Sequence, residues 1–216
     1  MTSFSNYSTL QKDLCNEFSN NNLTVIPIKD FNNSKSRLKE ELDDLRRIDL
    51  IKSMLITVIN SLGSKCIVVT NSDEVANFAA SNAVGALMVS IDGLNATANF
   101  LYQNLNSDLF SRLTIIHADL PMANKQTSPL KHVQTLTNKE FMIYPDINRS
   151  GTPVLSIPTN LNFKFMYGSH SFQKHVSQIE SLNAGIKIVE DFNWSFDLDT
   201  KFDLLKYYDL TENLEK

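Results

Sequence analysis

Three aspartates stand where an α/β chain would place its chemistry. Asp119 lies in Ala118-Asp119-Leu120-Pro121, directly after a short apolar run, and Asp197 and Asp199 belong to Asp197-Leu198-Asp199-Thr200 near the carboxyl end. On extended chain, alternate residues share a side, so both carboxylates of Asp-x-Asp can reach one cation. Magnesium takes oxygen ligands and commonly uses one or two protein carboxylates beside phosphate and water. The competing reading is architectural. Aspartates at strand ends cap helices or close turns, and Asp199-Thr200 could be an N-cap.

Cations accompany these acids. Pro27-Ile28-Lys29-Asp30 and Ser34-Lys35-Ser36-Arg37-Leu38 follow the first apolar run. Lys35 and Arg37 suit the holding of a triphosphate and the offsetting of charge on a departing pyrophosphate, or they are solvated loop charges. Tyr167-Gly168-Ser169-His170-Ser171 precedes a helical pattern and reads as an anion nest, with a serine N-cap as the plainer alternative. Gly151-Thr152 invites the same two readings. His117, His132, His170 and His175 show no metal-ligand spacing and are expected to be structural or exposed. No GxSxG, CxxC or GxxxxGK[ST] is present, and no GxGxxG follows the first run. Carboxylates, bases and small polar groups fit metal–phosphate chemistry better than acyl transfer or redox work.

The elements that must position these residues alternate regularly. Apolar runs at Leu23–Ile28, Cys66–Val69, Ala86–Val89 and Leu113–His117 read as buried strands. Helical periodicity covers Asp43–Leu62, Asp73–Asn82, Asn95–Leu105 and Pro129–Thr137 between and after them. Strand alternating with helix implies a parallel sheet covered on both faces. Phe141–Tyr144 and Val154–Ile157 have no room for a helix between them and predict an antiparallel excursion. A helix over Ser171–Ala184, a strand over Ile186–Val189 and a terminal helix over Thr200–Tyr208 complete the pattern. The expected fold is α/β and Rossmann-like: one domain over 23–216, a mixed but mostly parallel sheet, helices on both faces. Residues 1–22 are expected to form a polar extension with a frayed helix at Leu10, Leu14 and Phe18. Ligands of such sheets bind at the carboxyl ends of the strands.

Composition narrows the class. The 216 residues are 42% hydrophobic and 20% charged with a net charge of −4, and no basic stripe could neutralise a nucleic-acid backbone. Nucleic acid is therefore not an expected partner. Cys15 and Cys66 cannot build a disulfide framework and suit a reducing compartment. The polar start reads as no signal peptide, and no apolar run approaches the ~20 residues of a membrane span. A cytoplasmic protein without a membrane partner is expected.

Taken in order, these segments resemble the 2-phospho-L-lactate guanylyltransferase family of coenzyme F-420 biosynthesis, within the nucleotidyltransferases of GT-A-like fold. The resemblance runs from about Leu23 to Leu205. It rests on Val25-Ile26-Pro27-Ile28-Lys29 with Lys35-Ser36-Arg37-Leu38, Val68-Val69-Thr70, Gly93-Leu94-Asn95, Ala118-Asp119-Leu120-Pro121, Pro145-Asp146, Gly151-Thr152, Tyr167-Gly168-Ser169-His170-Ser171-Phe172 and Asp197-Leu198-Asp199-Thr200. It implies GTP and a small phosphorylated acid as substrates, with 2-phospho-L-lactate, phosphoenolpyruvate or 3-phosphoglycerate as acceptor. It further implies magnesium on Asp119, Asp197 and Asp199, catalysis by Asp119, Asp199, Lys35 and Arg37, and nucleotide contacts from Pro27, Lys29, Lys35, Thr70 and Asn95. Thr152, Gly168 and Ser171 would contact the acid.

Two positions depart from the family pattern near the acceptor pocket. Pro153 follows Gly-Thr where Asn is usual, and Ile147 follows Pro-Asp where Arg is usual, the nearest base being Arg149. The alternatives are another nucleotidyltransferase of this fold, making a sugar or molybdopterin nucleotide, or a non-catalytic nucleotide-binding regulator. Relatives of the first kind carry a glycine-rich first loop, whereas Phe31-Asn32-Asn33-Ser34 has no glycine. A homodimer is compatible with the sequence, which shows no legible apolar stripe to decide it.

Overall fold

The computed structural model describes residues 21–63 and 65–212. The extension helix expected at Leu10, Leu14 and Phe18 lies outside them. Among the described residues seven strands form one sheet in the order β3-β2-β1-β4-β6-β5-β7. They are β1 (Asn22–Pro27), β2 (Ile67–Thr70), β3 (Gly85–Met88), β4 (Arg112–Ile116), β5 (Glu140–Tyr144), β6 (Val154–Pro158) and β7 (Gly185–Ile188). β6 runs antiparallel to both neighbours, β4 and β5, while all other pairings are parallel. The chain steps outward from β1 to β3, then returns to lay β4 on the other side of β1. That reversal opens a crevice between the ends of β1 and β4, where open α/β sheets bind ligands.

Period-two alternation sends strand residues to two separate cores. Ile26, Val68, Ile116, Met142 and Val154 pack on one face, and Val25, Val69, Ile115, Ile143 and Leu155 on the other. The first face is covered by α1 (Asp44–Leu62) through Ile51, Met54, Leu55, Val58 and Ile59, and by α2 (Asp73–Ser81) through Val75 and Ala79. The opposite face is covered by α3 (Leu94–Asn104) through Ala98 and Leu101, and by α5 (Ser171–Ser181) through Phe172 and Ile179. Asp43 starts α1 by accepting the Arg46 amide at 2.8 Å, a cap worth about 1 kcal/mol. Ser72 does the same for α2 through the Val75 amide.

Four expectations shift. The sheet begins at Asn22, paired with Arg112, one residue inside the predicted extension. The helix expected over Pro129–Thr137 stops as α4 (Pro129–Val133), because its last amides make i→i−3 bonds that tighten it into turns. The next ends at Ser181 rather than Ala184: Asn183 turns left-handed at φ 50° and the Ala184 amide reaches back to Ile179. A short helix, α6 (Phe192–Ser195), was not legible before the terminal α7 (Lys201–Glu212). Between them Asp197–Asp199 lies outside the sheet, tied to it by the Leu198 amide on the Asp119 carbonyl at 3.1 Å.

Candidate active site

A cleft of about 590 Å³ opens at the carboxyl ends of β1, β2, β3 and β4, within the size range of ligand pockets. Asp119 enters it from the turn after β4, and Asp197 and Asp199 from the segment between α6 and α7. A backbone bond from the Leu198 amide to the Asp119 carbonyl joins these distant segments. Lys35, from the loop after β1, donates to Asp119 Oδ2 at 2.5 Å and to Asp199 Oδ1. Its side chain is only 9% exposed. Burial disfavours the charged ammonium, but the two carboxylates outweigh it and hold the pKa above the ordinary lysine value. Burial likewise works against the Asp119 carboxylate, and the Lys35 charge prevails and lowers its pKa. Asp197 has no such partner: desolvation, then the neighbouring Asp119 and Asp199, push it up to about 7.

The capping alternative for Asp199 is answered locally. Asp203 accepts from the Thr200 amide at 2.7 Å and the Thr200 hydroxyl at 2.8 Å, so Thr200 and Asp203 begin α7 between them. The Asp199 carboxylate is left for the cleft.

Three observations fit a divalent cation here. A lysine ammonium bridges Asp119 and Asp199, so a positive centre suits the space between them. Asp119 Oδ1 is buried without a hydrogen-bond partner. Asp197 is a carboxylate whose ionisation its surroundings suppress for want of positive charge. No ready-made group of three acidic, imidazole or thiol ligands is present among the described residues. The three aspartates share the cleft without forming such a group, so a cation there would complete its shell with substrate phosphate and water.

The far end of the cleft is neutral. Thr152 Oγ1 lies 3.1 Å from Ser171 Oγ and 3.2 Å from His175 Nδ1, and His175 Nε2 accepts the Met166 amide at 2.9 Å. That amide can only donate, so Nε2 carries no proton, and the neutral ring keeps its proton on Nδ1, facing Thr152. Thr152 accepts it and can pass its own hydrogen to Ser171, leaving the Ser171 hydroxyl a donor for the cleft. Burial holds His175 down to about 4. Ser171 therefore does not cap its helix, where His170 at φ 57° makes no side-chain cap bond. Gly168, at φ 114°, lines this end beside it. Asp146 closes the loop beneath by accepting the Ser150 and Gly151 amides at 2.8 and 2.6 Å. A Cβ on residue 151 would meet Asp146 Oδ2 at 2.6 Å, so a larger residue there would push the carboxylate off the amides it accepts.

Pro27, Lys29, Lys35, Arg37, Thr70, Asp119, Thr152, Gly168, Ser171, Asp197 and Asp199 thus all line one cleft. Asn95 does not. Its side-chain nitrogen donates to the Tyr167 carbonyl at 2.9 Å and its side-chain oxygen accepts the Tyr167 amide at 2.6 Å, so it tethers α3 to the segment before α5. Thr70 lines the cleft, with its hydroxyl bonded to the Lys29 carbonyl and the Ser72 amide. Lys29 pairs with Asp92 at 3.0 Å, both exposed. Arg37 is exposed, without an ion pair among the described residues.

The family described as "Guanylyl transferase CofC like" matches residues 22–208. The chain belongs to this family, and with it to the nucleotidyltransferases. It is 33% identical over 190 residues to a 2-phospho-L-lactate guanylyltransferase of Methanosphaera stadtmanae, covering 84% of this chain and 81% of that protein. It is 25% identical over 187 residues to a phosphoenolpyruvate guanylyltransferase of Thermobaculum terrenum, covering 84% and 80%. Among solved structures, 4-diphosphocytidyl-2C-methyl-D-erythritol synthase of Anaerococcus prevotii superposes with a TM-score of 0.57 at 10% identity, over 88% of this chain and 98% of that one. That likeness speaks for the fold alone.

Within this nucleotidyltransferase fold, the sequence reading passed over two histidines, one lining the cleft and one behind it. His117, expected to be structural or exposed, lines the cleft with Nδ1 3.9 Å from Asp119 Oδ1 and its ring 5.3 Å from Tyr167; burial lowers its pKa, and Nε2 has no partner. His175 acts from behind, through Thr152, whereas Asp146 of the Pro145-Asp146 segment lines the cleft. Strand-end position was a signal for His117; nothing in the spacing marked His175. Arg149 does not replace the missing arginine: its guanidinium pairs with Glu190 and lies 5.0 Å over Phe172, outside the cleft lining. Ile147 is 41% exposed, and Pro153 is buried, its carbonyl accepting the His117 amide at 2.9 Å.

Proposed function

We propose that this chain transfers GMP from GTP to 2-phospho-L-lactate, releasing pyrophosphate, in the biosynthesis of coenzyme F-420. Family membership supports guanylyl transfer, and the names of the relatives point to a small phosphorylated acid as acceptor. The observation that carries the reading is the meeting of Lys35, Asp119 and Asp199 beside a neutral donor pocket in one cleft.

A phosphate oxygen of the acid attacks the α-phosphorus of GTP; that P–O bond forms as the bond to the β-phosphate bridging oxygen breaks. The attacking phosphate is ionised at neutral pH, so no general base is required. What the reaction needs is alignment and neutralisation of two anions. Lys29, Lys35 and Arg37 supply positive charge to the triphosphate and the departing pyrophosphate, while Thr152, Ser171 and the backbone at Gly168 orient the acid. Asp119, Asp197 and Asp199 would hold magnesium. When bound, that ion would neutralise charge on the triphosphate as it reacts.

A pyrophosphate-release assay with GTP, magnesium and each of 2-phospho-L-lactate, phosphoenolpyruvate and 3-phosphoglycerate tests the proposal. Release with 2-phospho-L-lactate is expected; binding of GTP without release for any acid would replace it with a regulatory reading. No described helix is long and apolar enough to cross a membrane.

A further inference from the structure

Arg47, on the first turn of α1, has its side chain buried, the whole residue being 1% exposed, and does not line the cleft. A guanidinium is costly to bury unless its donors find partners. Nη1 donates to the Ser34 carbonyl at 2.6 Å and to the Phe31 carbonyl at 3.3 Å, and Nη2 to Asp44 at 2.7 Å. Two of these three acceptors are backbone oxygens of the segment leading into Lys35.

That segment needs holding. It has no glycine, and Lys35 sits at φ 55° and ψ 41°, a left-handed conformation that costs an ordinary residue roughly 1–2 kcal/mol. Phe31 anchors one end, fully buried and edge-on to Phe78 at 5.4 Å. Asp30 braces the middle by accepting the Asn33 amide at 2.5 Å. Arg47 acts on the far end, at the peptide bond next to Lys35. In a trans peptide, carbonyl and amide point opposite ways. With the Ser34 carbonyl on Arg47, the Lys35 amide is turned away from α1. A lysine at 47 would offer one point charge where a planar fork now spans two carbonyls and a carboxylate.

We propose that Arg47 is a positioning residue of the triphosphate loop: from behind, it fixes the Ser34–Lys35 peptide and thereby sets where the Lys35 ammonium stands in the cleft. The proposal rests on the guanylyl-transfer reading.

The test compares Arg47→Met and Arg47→Lys, each made in the wild-type and the Lys35→Ala background. GTP affinity is measured by calorimetry without acceptor, and kcat and both KM values by pyrophosphate release. Arg47→Met is expected to weaken GTP binding about 30-fold, the scale of one or two charged hydrogen bonds, with the KM for the acid unchanged. Arg47→Lys restores part of it. In the Lys35→Ala background Arg47→Met costs no more than about twofold, because the two act as one unit. Equal losses in both backgrounds, or equal rises in the KM for both substrates, overturn the proposal in favour of a general stabilising role. Should Arg47→Met fail to fold, Arg47→Lys in the two backgrounds decides by the same coupling. If the wild type binds GTP yet releases no pyrophosphate with any acid, the transfer reading fails while the coupling is still read from binding.

Discussion

The two ends of the cleft solve the same problem, holding an anion, by opposite means. At one end Lys35, Asp119 and Asp199 form a charged contact in which the buried ammonium is tolerable because two carboxylates meet it. At the other, His175, Thr152 and Ser171 form a neutral chain in which the Met166 amide fixes the His175 tautomer and with it the donation from His175 to Thr152. Charge is strong but indifferent to shape, and suits a polyphosphate. Ordered neutral donors are weaker but reject a misplaced ligand, because unpaired buried groups then remain. The acid would be chosen at the neutral end, and the reaction driven at the charged one.

Replacing Asp199 by Asn should separate these roles most sharply. Turnover is expected to fall on the order of 10³-fold, as when a charge-stabilising group is removed, with the far-UV circular dichroism unchanged. Near-normal pyrophosphate release from Asp199→Asn would remove the metal assignment. Thr152→Val breaks the neutral chain at its centre. The KM for the acid is expected to rise about 10-fold while the KM for GTP stays put; a rise in the GTP value instead would merge the two ends.

His175 offers a test through stability. Its folded value of about 4 lies below the ordinary 6.5, so between these values the unfolded chain binds the extra proton. The contribution is intact above pH 6.5 and is lost as pH falls toward 4, amounting to about 3 kcal/mol. Urea unfolding at pH 7.0, 5.5 and 4.5 should show this slope, and a His175→Phe variant should flatten it. The smallest effect belongs to Arg149→Ala, which removes an exposed ion pair with Glu190. Stability should change by less than about 1 kcal/mol, with the KM for the acid unaltered. A large rise in that KM would make Arg149 a substitute for the arginine absent at position 147.

The sheet was readable in advance because it obeys local rules, two-sided apolar strands and helical periodicity, and Asp119 because it follows a strand; Asp197 and Asp199 follow a short helix instead. The mixed sheet followed from the short link between β5 and β6. What stayed hidden depends on long separations. Nothing near Lys35 shows that its partners lie 84 and 164 residues away. The bonds of Asn95 were hidden because an asparagine on the first turn of a helix looks the same whether it faces a ligand or Tyr167, 72 residues on. His175 falls in an ordinary helical stretch, and only its bonds to Thr152 and Met166 give it a task.

Lys35 also bears on how such a protein comes into being in the cell. An acidic catalytic centre ordinarily repels itself until its cation arrives, which would tie maturation of the polypeptide to metal supply. Here the chain carries a provisional counter-ion of its own. If the proposed ligands are right, a newly made molecule would not depend on them to offset Asp119 and Asp199 while it folds, because Lys35 already does so.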